Sequence, residues 1–335
     1  MSAWLLGAAF SSEVSARSIA PPGCANAPTS SRVVNVKDKG ATPDDRTDDT
    51  AAIQTAIDEI AGTGGTVFVP DGTYMVNAEA RNWLTLKSDM TLKLSTGATL
   101  RAIPTRRSYY AILSIAGVSN VAVVGGTLEG EREGHLGKSG EWGVGIRIDR
   151  GAHHITVREV TAKKMWGDGF YVQGAADVAL CSITADDNRR QGLSIIDVDG
   201  LVVTSSVFTN TRGTRPSSGI DLEPDRASQR ITNVRIQNSE FLGNAGAGIL
   251  IDGGKGPVAD VEIINNAFAG NARPIKIKHA PALASSAICH NRQEPSGGLF
   301  AFAGLIPWPW MRSSTFLHSS DCKSLPAGDV LAVAR

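Results

Sequence analysis

A short repeating pattern of apolar and polar residues runs through the middle of the chain. Each copy has a small residue, two apolar residues separated by one variable residue, and a fifth residue that is mostly polar, as in Gly169-Phe170-Tyr171-Val172-Gln173. The copies recur every 23 to 29 residues, at positions 145–149, 169–173, 192–196, 219–223, 248–252 and 274–278. A period of two predicts strands. Strands that recur at this interval predict a solenoid, in which each coil buries its apolar side chains against its neighbours.

A second alternating run follows most copies, at positions 155–157, 178–180, 201–203, 234–236 and 261–263. Two or three strands per coil, joined by turns of variable length, predict an all-β, right-handed parallel β-helix. Three phenylalanines that each precede an asparagine indicate an interior aromatic stack beside an asparagine ladder at a turn. They are Phe208, Phe241 and Phe268, and the asparagines are Asn210, Asn244 and Asn271.

One amphipathic helix precedes the strands. Polar residues from position 48 are followed by apolar residues at Ile53, Ala56, Ile57 and Ile60, and glycines end the pattern at 62–65. We expect this helix to cover the N-terminal end of the solenoid, whose first coil would otherwise expose apolar side chains and unpaired backbone groups.

The pattern divides the chain into three parts. Residues 1–31 are predicted to be a degraded signal-like or disordered lead-in, because a short apolar run without a basic start precedes a segment rich in Pro, Ser and Ala. Residues 32–290 are predicted to be the parallel β-helix catalytic domain. Residues 291–335 are predicted to be an irregular tail or cap.

Charge and cysteine content restrict the partners. The 33 basic and 33 acidic residues balance, so neither a nucleic acid nor a membrane is an expected partner. The four cysteines lack the spacing of a zinc site. Cys181 falls in a strand pattern typical of the core. Cys289 and Cys322 are interpreted either as a disulfide of an oxidising compartment or as two unpaired thiols.

The N-terminal part resembles a known superfamily. The runs at 36–41, 44–50 and 64–74, which end in Gly-Gly-Thr-Val-Phe-Val-Pro-Asp-Gly-Thr-Tyr, are similar to the opening of pectate-lyase-like β-helix proteins, including rhamnogalacturonase-like members. Segments at 130–132, 140–143, 166–169 and 188–192 resemble exopolysaccharide-associated members. The resemblance implies a β-helix that acts on a polysaccharide, but it leaves the reaction open.

The resemblance has one departure. The polygalacturonases of that superfamily carry Asn-x-Asp, Asp-Asp, Gly-His-Gly and Arg-x-Lys on successive coils. This chain has no Gly-His-Gly, and residues 276–278 match Arg-x-Lys only in part. The polygalacturonase residues are therefore not carried over.

The outward positions of the repeat are the candidate site. In a strand, the third and fifth residues of each copy share the face opposite the core. This face gathers Asp221, Glu223 and Asp252 and then Lys276 and Lys278. We expect one of Asp221 and Glu223 to remain protonated as a general acid while the other activates water or attacks the sugar. The alternative is a solvated ladder of carboxylates paired with the lysines.

Further candidates border this face. Asp168 is interpreted either as a further acid or as a turn aspartate, and Trp166 as a sugar platform. Arg189 and Arg190 suit a carboxylate or pyruvyl group on an acidic glycan, although surface ion pairs explain them equally. The predicted catalytic residues are Asp221, Glu223, Asp168 and Arg190. The predicted substrate-binding residues are Arg132, His135, Glu141, Trp166, Tyr171, Arg189, Asp252, Lys276 and Lys278.

These residues predict a secreted or periplasmic enzyme that cleaves an acidic bacterial exopolysaccharide or a pectin-like glycan. Hydrolysis through paired carboxylates is slightly favoured and requires no cofactor. A lyase is the first alternative, in which either Arg189, Arg190 and Lys276 neutralise the substrate carboxylate or Asp221, Glu223 and Asp252 bind Ca²⁺. A non-catalytic glycan-binding β-helix or adhesin is the second. The sequence indicates no particular oligomeric state.

Overall fold

Twenty-seven strands, one α-helix and one 3₁₀ helix make up the described part of this computed structural model, which comprises residue 24, residues 29–78 and 83–279, residue 283, residues 285–294 and the backbone of 315–317. The helices are a 3₁₀ helix (Val36–Lys39) and α1 (Thr50–Ile60). The strands in chain order are β1 (Val33–Asn35), β2 (Asp44–Asp48), β3 (Thr66–Val69), β4 (Gly72–Val76), β5 (Leu84–Thr85), β6 (Met90–Leu94), β7 (Ala98–Ala102), β8 (Tyr109–Ala116), β9 (Ser119–Val124), β10 (Thr127–Glu129), β11 (Trp142–Asp149), β12 (His153–Arg158), β13 (Thr161–Lys163), β14 (Asp168–Cys181), β15 (Thr184–Asp186), β16 (Gln191–Thr204), β17 (Val207–Thr209), β18 (Ser218–Leu222), β19 (Ile231–Gln237), β20 (Glu240–Leu242), β21 (Ala247–Asp252), β22 (Val261–Ile264), β23 (Ala267–Ala269), β24 (Arg273–Lys278), β25 (Ala287–Cys289), β26 (Asn291–Gln293) and β27 (Thr315–Leu317).

The strands form a parallel β-solenoid, which confirms the predicted all-β architecture. Each central coil passes through two segments of a 16-stranded sheet and then through one short strand of an 11-stranded sheet. β11, β12 and β13 show this order, and β14 and β16 each run through both segments as one long strand. Every strand pairs in parallel with its equivalent on the next coil, except that β26 and β27 are antiparallel.

The second and fourth positions of the repeat fill the core, as predicted. Phe170 and Val172 pair in register with Ile146 and Ile148 on one side and with Leu193 and Ile195 on the other. All six side chains are buried. Each coil therefore removes its apolar surface from water only by stacking on its neighbours, which makes the solenoid cooperative along its axis.

A steric constraint explains why each repeat begins with a small residue. A Cβ atom on Gly219 would lie 2.6 Å from the carbonyl oxygen of Gly248 and 2.9 Å from Phe241. Gly192 meets the same obstacles one coil earlier, at 2.4 Å from the carbonyl oxygen of Gly219 and 2.9 Å from Phe208. Glycine lets the coils approach closely at this column and leaves room for the phenylalanine stack.

The stack itself is present. The rings of Phe208 and Phe241 lie 5.2 Å apart and those of Phe241 and Phe268 lie 4.9 Å apart, both nearly parallel. The asparagine ladder differs from the prediction at one position. Asn244 and Asn271 are hydrogen-bonded at 2.8 Å, but the previous rung is Thr211, whose backbone N–H donates to Asn244.

Asn210 lies beside this ladder rather than in it. Its side chain is exposed and donates to Asp186 at 2.9 Å, and its backbone adopts a left-handed φ of 57°. A turn that needs a positive φ favours asparagine for that reason alone. An asparagine at position 210 is therefore compatible with a turn as well as with the ladder, and the sequence alone did not distinguish the two.

The α-helix lies between β2 and β3 and buries Ile53, Ala56, Ile57 and Ile60 in the main core. The four positions are those expected from the sequence pattern. The helix packs on β1, β3 and β5. Its role as a cover for the end of the solenoid stays a prediction.

Three further features bear on the predicted organisation. Cys181 is buried, and it forms a disulfide with Cys24. Cys289 is also disulfide-bonded, whereas Cys322 lies outside the described residues. β26 pairs in parallel with β23, so the 11-stranded sheet continues past position 290. Most of the predicted lead-in and tail lie outside the described residues.

Among the described helices, none has the length and apolar character needed to cross a membrane.

Candidate functional site

One column of outward side chains crosses six neighbouring coils. Arg147, Tyr171, Ser194, Asp221, Leu250 and Lys276 follow one another in strand register, which confirms the predicted alignment of the third positions. The fifth positions deviate at one coil. Gln173 pairs with Asp197 rather than with Ile196, because the register shifts next to Gln173. Ile196 instead packs in an outer apolar cluster with Ala111, Val144 and Tyr171.

The centre of this face is less open than the sequence suggested. Ser194 is 1% exposed, and Asp221 and Leu250 are each 2% exposed. An outward strand face was expected to meet solvent. The long side chain of Arg190 lies beside the column and donates to Ser194, so it covers part of the surface that alternation alone would leave open. In this column only Lys276 is exposed, and Arg147 at the other end is half-buried.

Asp168 is a fully buried carboxyl group at the start of β14. Its Oδ2 accepts hydrogen bonds from Ser194 Oγ at 2.9 Å and from Arg190 Nη1 at 3.2 Å. Its Oδ1 is buried and has no hydrogen-bond partner. Burial raises the pKa of Asp168 to about 6, although Arg190 and the Ser194 hydroxyl oppose the shift. The carboxyl group therefore titrates close to neutral pH.

Asp221 lies two coils further along, in β18. Its Oδ2 accepts a hydrogen bond of 2.6 Å from Gln191 Nε2, and its buried Oδ1 has no partner. Gln191 is fixed in turn, because its Oε1 accepts from the backbone N–H of Ser218 at 2.8 Å. Burial and the charge of Glu223 raise the pKa of Asp221 well above its usual value. Asp221 is therefore a buried carboxyl group that binds its proton more tightly than a free aspartate does.

Glu223 follows Asp221 by two residues and is only half-buried. It lines a groove of about 720 Å³ together with Ser218 and Leu250, which flank Asp221 in sequence and in register. Cationic side chains of Arg215, Arg273, Lys276 and Lys278 line the same groove. The half-buried carboxylate of Glu223 thus lies between the buried Asp221 and the cationic side chains of the groove.

Arg190 connects the buried carboxyl groups with the bordering loop. It donates to Asp168, and its Nε lies 3.7 Å from Glu141 Oε2. Burial lowers the pKa of Arg190, but the charges of Asp168 and Glu141 outweigh burial and raise it, with smaller contributions from Asp221 and Glu223. The structure therefore brings together all four residues that the sequence singled out as catalytic.

Trp166 is the centre of a stack on the loop side of the site. The ring of His135 lies parallel to it, with centroids 3.8 Å apart, and the guanidinium carbon of Arg189 lies 3.8 Å from its ring. Arg189 also donates to the carbonyl oxygens of Gly140 and Trp166. Burial lowers the pKa of Arg189. Side chains of the protein itself thus pack on the ring of Trp166, which the sequence predicted to be a sugar platform.

Two more loop residues face the protein rather than the groove. The side chain of His135 has no exposed surface, and its Nδ1 lies 2.9 Å from Glu131 Oε1. Burial raises the pKa of Glu131, opposed by His135. Arg132 donates to the backbone carbonyl and the carboxylate of Asp187 at 2.7 and 2.8 Å. These contacts hold the loop 131–142 on the coil.

The remaining predicted binding residues divide between the two ends. Asp252 is engaged by Lys278 at 3.2 Å and by His279 at 2.8 Å, and these contacts lower its pKa against the effect of burial. Lys276 is exposed. Tyr171 donates to Gln173 at 3.0 Å, and Arg147 lies 4.6 Å from its ring. Burial raises the pKa of Tyr171 to about 12.

Sequence reasoning missed Gln191, Ser194 and Ser218 as members of the polar network. The sequence contained a signal for Gln191 and Ser218. Like Asp168, each of them directly precedes the small residue of a repeat. The strand register joins them in one column. Aligning the residue before the glycine would have placed the buried Asp168 in the same column as Gln191 and Ser218.

Two family models match the sequence. Residues 33–92 match the family described as rhamnogalacturonase A/epimerase, pectate lyase-like, which confirms the resemblance seen in the N-terminal motifs. Residues 67–284 match the family described as periplasmic copper-binding protein (NosD). The chain belongs to the NosD family.

Copper prefers imidazole and sulfur ligands. Within the described residues no three His, Cys, Asp or Glu side chains are grouped to hold a metal ion, so the donor set there does not fit the copper of the family's description.

Individual relatives of this NosD-family chain extend the comparison. Mannuronan C5-epimerase AlgE2 of Azotobacter vinelandii is 30% identical over 268 residues, which cover 73% of this chain and 26% of that protein. The exopolygalacturonase structure from Yersinia enterocolitica has a TM-score of 0.60 at 17% identity and covers 80% of this chain and 60% of that chain. The Streptococcus pneumoniae adhesin PfbA has a TM-score of 0.56 at 18% identity and covers 78% of this chain and 86% of that chain.

The two solved structures support the β-helix fold. The chain spans less than half the length of the curated relatives that it matches.

Proposed function

We propose that this chain is a polysaccharide-cleaving enzyme that hydrolyses a glycosidic bond with Asp221 as general acid. The observation that carries the proposal is the unequal environment of two neighbouring carboxyl groups. Asp221 is buried with a raised pKa, whereas Glu223, two residues on, opens into the groove. Two titratable groups in contrasting environments are a common arrangement for an acid and its partner base.

The reaction divides between these two groups. Protonated Asp221 donates its proton to the glycosidic oxygen as the bond from that oxygen to the anomeric carbon breaks. Glu223 accepts a proton from a water molecule whose oxygen bonds to the anomeric carbon, or its carboxylate attacks that carbon itself. Gln191 holds Asp221 Oδ2, which leaves Oδ1 as the oxygen to carry the proton.

Access to Asp221 requires a small rearrangement. Its side chain is 2% exposed, and Glu223 and Arg190 interact with it electrostatically. Arg190 is held by Asp168 and Ser194, whereas Glu223 lines the groove, so a sugar that enters the groove reaches Asp221 after the Glu223 side chain rotates. Hydrogen bonds of catalytic groups often reach their productive geometry only in the complex.

The basic wall of the groove supports an acidic substrate. Arg215, Arg273 and Lys276 are exposed side chains that line the groove beside Glu223. Cations of this kind bind carboxylate, pyruvyl or sulfate groups by charge-assisted hydrogen bonds. A bacterial exopolysaccharide or a pectin-like glycan with acidic residues provides such groups, and AlgE2 is named for a polymer of mannuronate.

The same groove also supports binding without cleavage. PfbA, which shares the fold, is described as a surface adhesin. A lyase that binds Ca²⁺ through Asp221, Glu223 and Asp252 is less well supported, because Lys278 and His279 already engage Asp252. We therefore keep glycan binding as the second candidate function and treat β-elimination as an outcome of the test.

A secreted or periplasmic location agrees with this function. Disulfides at Cys181 and Cys289 are typical of oxidising compartments, and the matched family is described as periplasmic. We propose the same location for this chain.

The test uses a panel of acidic and neutral bacterial exopolysaccharides and pectins. New reducing ends without absorbance near 235 nm support hydrolysis, whereas both signals together identify a lyase. Asp221→Asn and Glu223→Gln are each expected to lower the cleavage rate at least 100-fold. Asp260→Asn, the same substitution at an exposed aspartate, is the matched control. Binding without any cleavage by the wild type would favour the adhesin function.

A further inference from the structure

Two exposed aromatic side chains lie in register on adjacent coils. Tyr109 and Trp142 pair as the first residues of β8 and β11, and they are 44% and 45% exposed. They are two of the four large hydrophobic side chains that are exposed in the described part of the chain. Trp83 packs edge-on against Tyr109, with ring centroids 5.4 Å apart. The ring of Tyr109 is therefore packed on one side, while Tyr109 and Trp142 both remain open to solvent in part.

The patch is continuous with the candidate site. Trp142 directly follows Glu141, which pairs with Arg190. Arg147 lies 5.3 Å from the ring of Tyr109 and 4.6 Å from that of Tyr171, so one cation links the patch to the central column. The coil order places β8 and β11 immediately before β14, which carries Asp168.

The whole face is thus polarised along the solenoid axis. Aromatic side chains occupy β8 and β11, buried carboxyl groups occupy β14 to β18, and the cations of the groove occupy β24 and the turn before β18. From β11 to β24 there are five coil steps of about 4.8 Å, or about 24 Å in all. A single sugar unit is too short to reach both ends.

We infer that Tyr109 and Trp142 form a sugar-stacking subsite for a glycan that lies along the solenoid axis. The apolar face of a pyranose ring packs on these aromatic rings, while an acidic unit of the same chain occupies the basic groove. Aromatic rings with one open face provide contact area at a low entropic cost. This inference rests on the proposed function for its polysaccharide ligand, and it adds that the ligand binds as an extended chain of several sugars.

The test measures binding rather than turnover. Asp221→Asn serves as the background, so that a bound chain is not cut, and the probes are oligogalacturonate and oligomannuronate as hexamers and as dimers. Isothermal titration and tryptophan fluorescence report affinity. Trp142→Ala is expected to weaken hexamer binding about tenfold and to leave dimer binding within a factor of two. Trp142→Phe should restore most of the hexamer affinity, and Val33→Ala, which removes an exposed apolar side chain elsewhere, should change neither.

The outcomes separate this inference from the proposed function. If the wild type never cleaves a polysaccharide but Trp142→Ala still weakens hexamer binding selectively, the subsite stands and the hydrolase proposal fails. If the wild type cleaves and Trp142→Ala changes neither hexamer affinity nor KM, the subsite is wrong and the hydrolase stands. Equal losses for dimer and hexamer, or no binding of either hexamer to the background protein, would also overturn the subsite.

Discussion

Arg190 donates a hydrogen bond to the fully buried Asp168 across 3.2 Å, yet the pKa of Asp168 is still raised to about 6. One cation does not fully offset the loss of water around this carboxylate. The native state therefore binds a proton more tightly than the unfolded chain does, and this difference makes the stability depend on pH.

The first prediction concerns that dependence. A raised carboxyl pKa means that the free energy of unfolding falls as pH rises from about 4, the pKa of an unperturbed aspartate, to above 6. Asp168→Asn removes this titration, so the decline across that interval should become shallower. Chemical denaturation at pH 4, 5, 6 and 7 measures the slope. Asp260→Asn should keep the wild-type slope, and an unchanged slope in Asp168→Asn would contradict the raised pKa.

The second prediction uses two charges that act on Asp221 in opposite directions. The charge of Asp168 raises the pKa of Asp221, and the charge of Lys278 lowers it. A general acid is active only while protonated, so its pKa sets the alkaline limb of the pH–rate profile. We expect Asp168→Asn to move that limb to lower pH and Lys278→Met to move it to higher pH. Profiles of kcat/KM would record both shifts, and a shift of the same sign in both variants would exclude Asp221 as the acid.

Much of the fold could be read from the sequence because the repeat is a physical requirement of each coil. The inward apolar pairs, the third-position column and the phenylalanine stack all follow from one alternation repeated at a near-constant period. Each of these features depends on residues within one strand, so the sequence pattern predicts it. The glycine column is equally local, since a Cβ at Gly192 or Gly219 would meet the next coil.

The site was less predictable because burial on an outward face depends on turns and loops. Alternation indicates that Asp221 points outward, but not that the charged and polar side chains around it exclude water. The register shift at Gln173 likewise depends on a long strand that runs through a bend. His135 and Trp166 could be recognised as loop residues, but their mutual stacking requires a loop conformation that no periodicity encodes.

The third prediction tests a second polar ladder, which the sequence pattern did not reveal. Asn266 accepts from the backbone N–H of Ser239 at 3.0 Å and donates to the carbonyl oxygen of Ile236 at 2.9 Å. Asn266→Ala removes both of these hydrogen bonds from buried backbone groups, so we expect a loss of about 3 kcal/mol in the free energy of unfolding. Equilibrium unfolding in urea measures it. Glu240→Ala, at an exposed residue on the adjacent short strand, should change stability by less than about 0.5 kcal/mol.

The fourth prediction concerns Phe241, the middle ring of the interior stack. Its two neighbours lie 5.2 and 4.9 Å away, and its side chain is fully buried. Phe241→Ala should lower the free energy of unfolding by about 3–5 kcal/mol, because the rigid coils above and below cannot collapse into the cavity. Phe241→Leu retains most of the volume and should cost clearly less. Thermal and urea unfolding of both variants give the comparison. If the alanine variant lost no more stability than the leucine variant, the coils would be free to close on the cavity, which the tight glycine column next to Phe241 argues against.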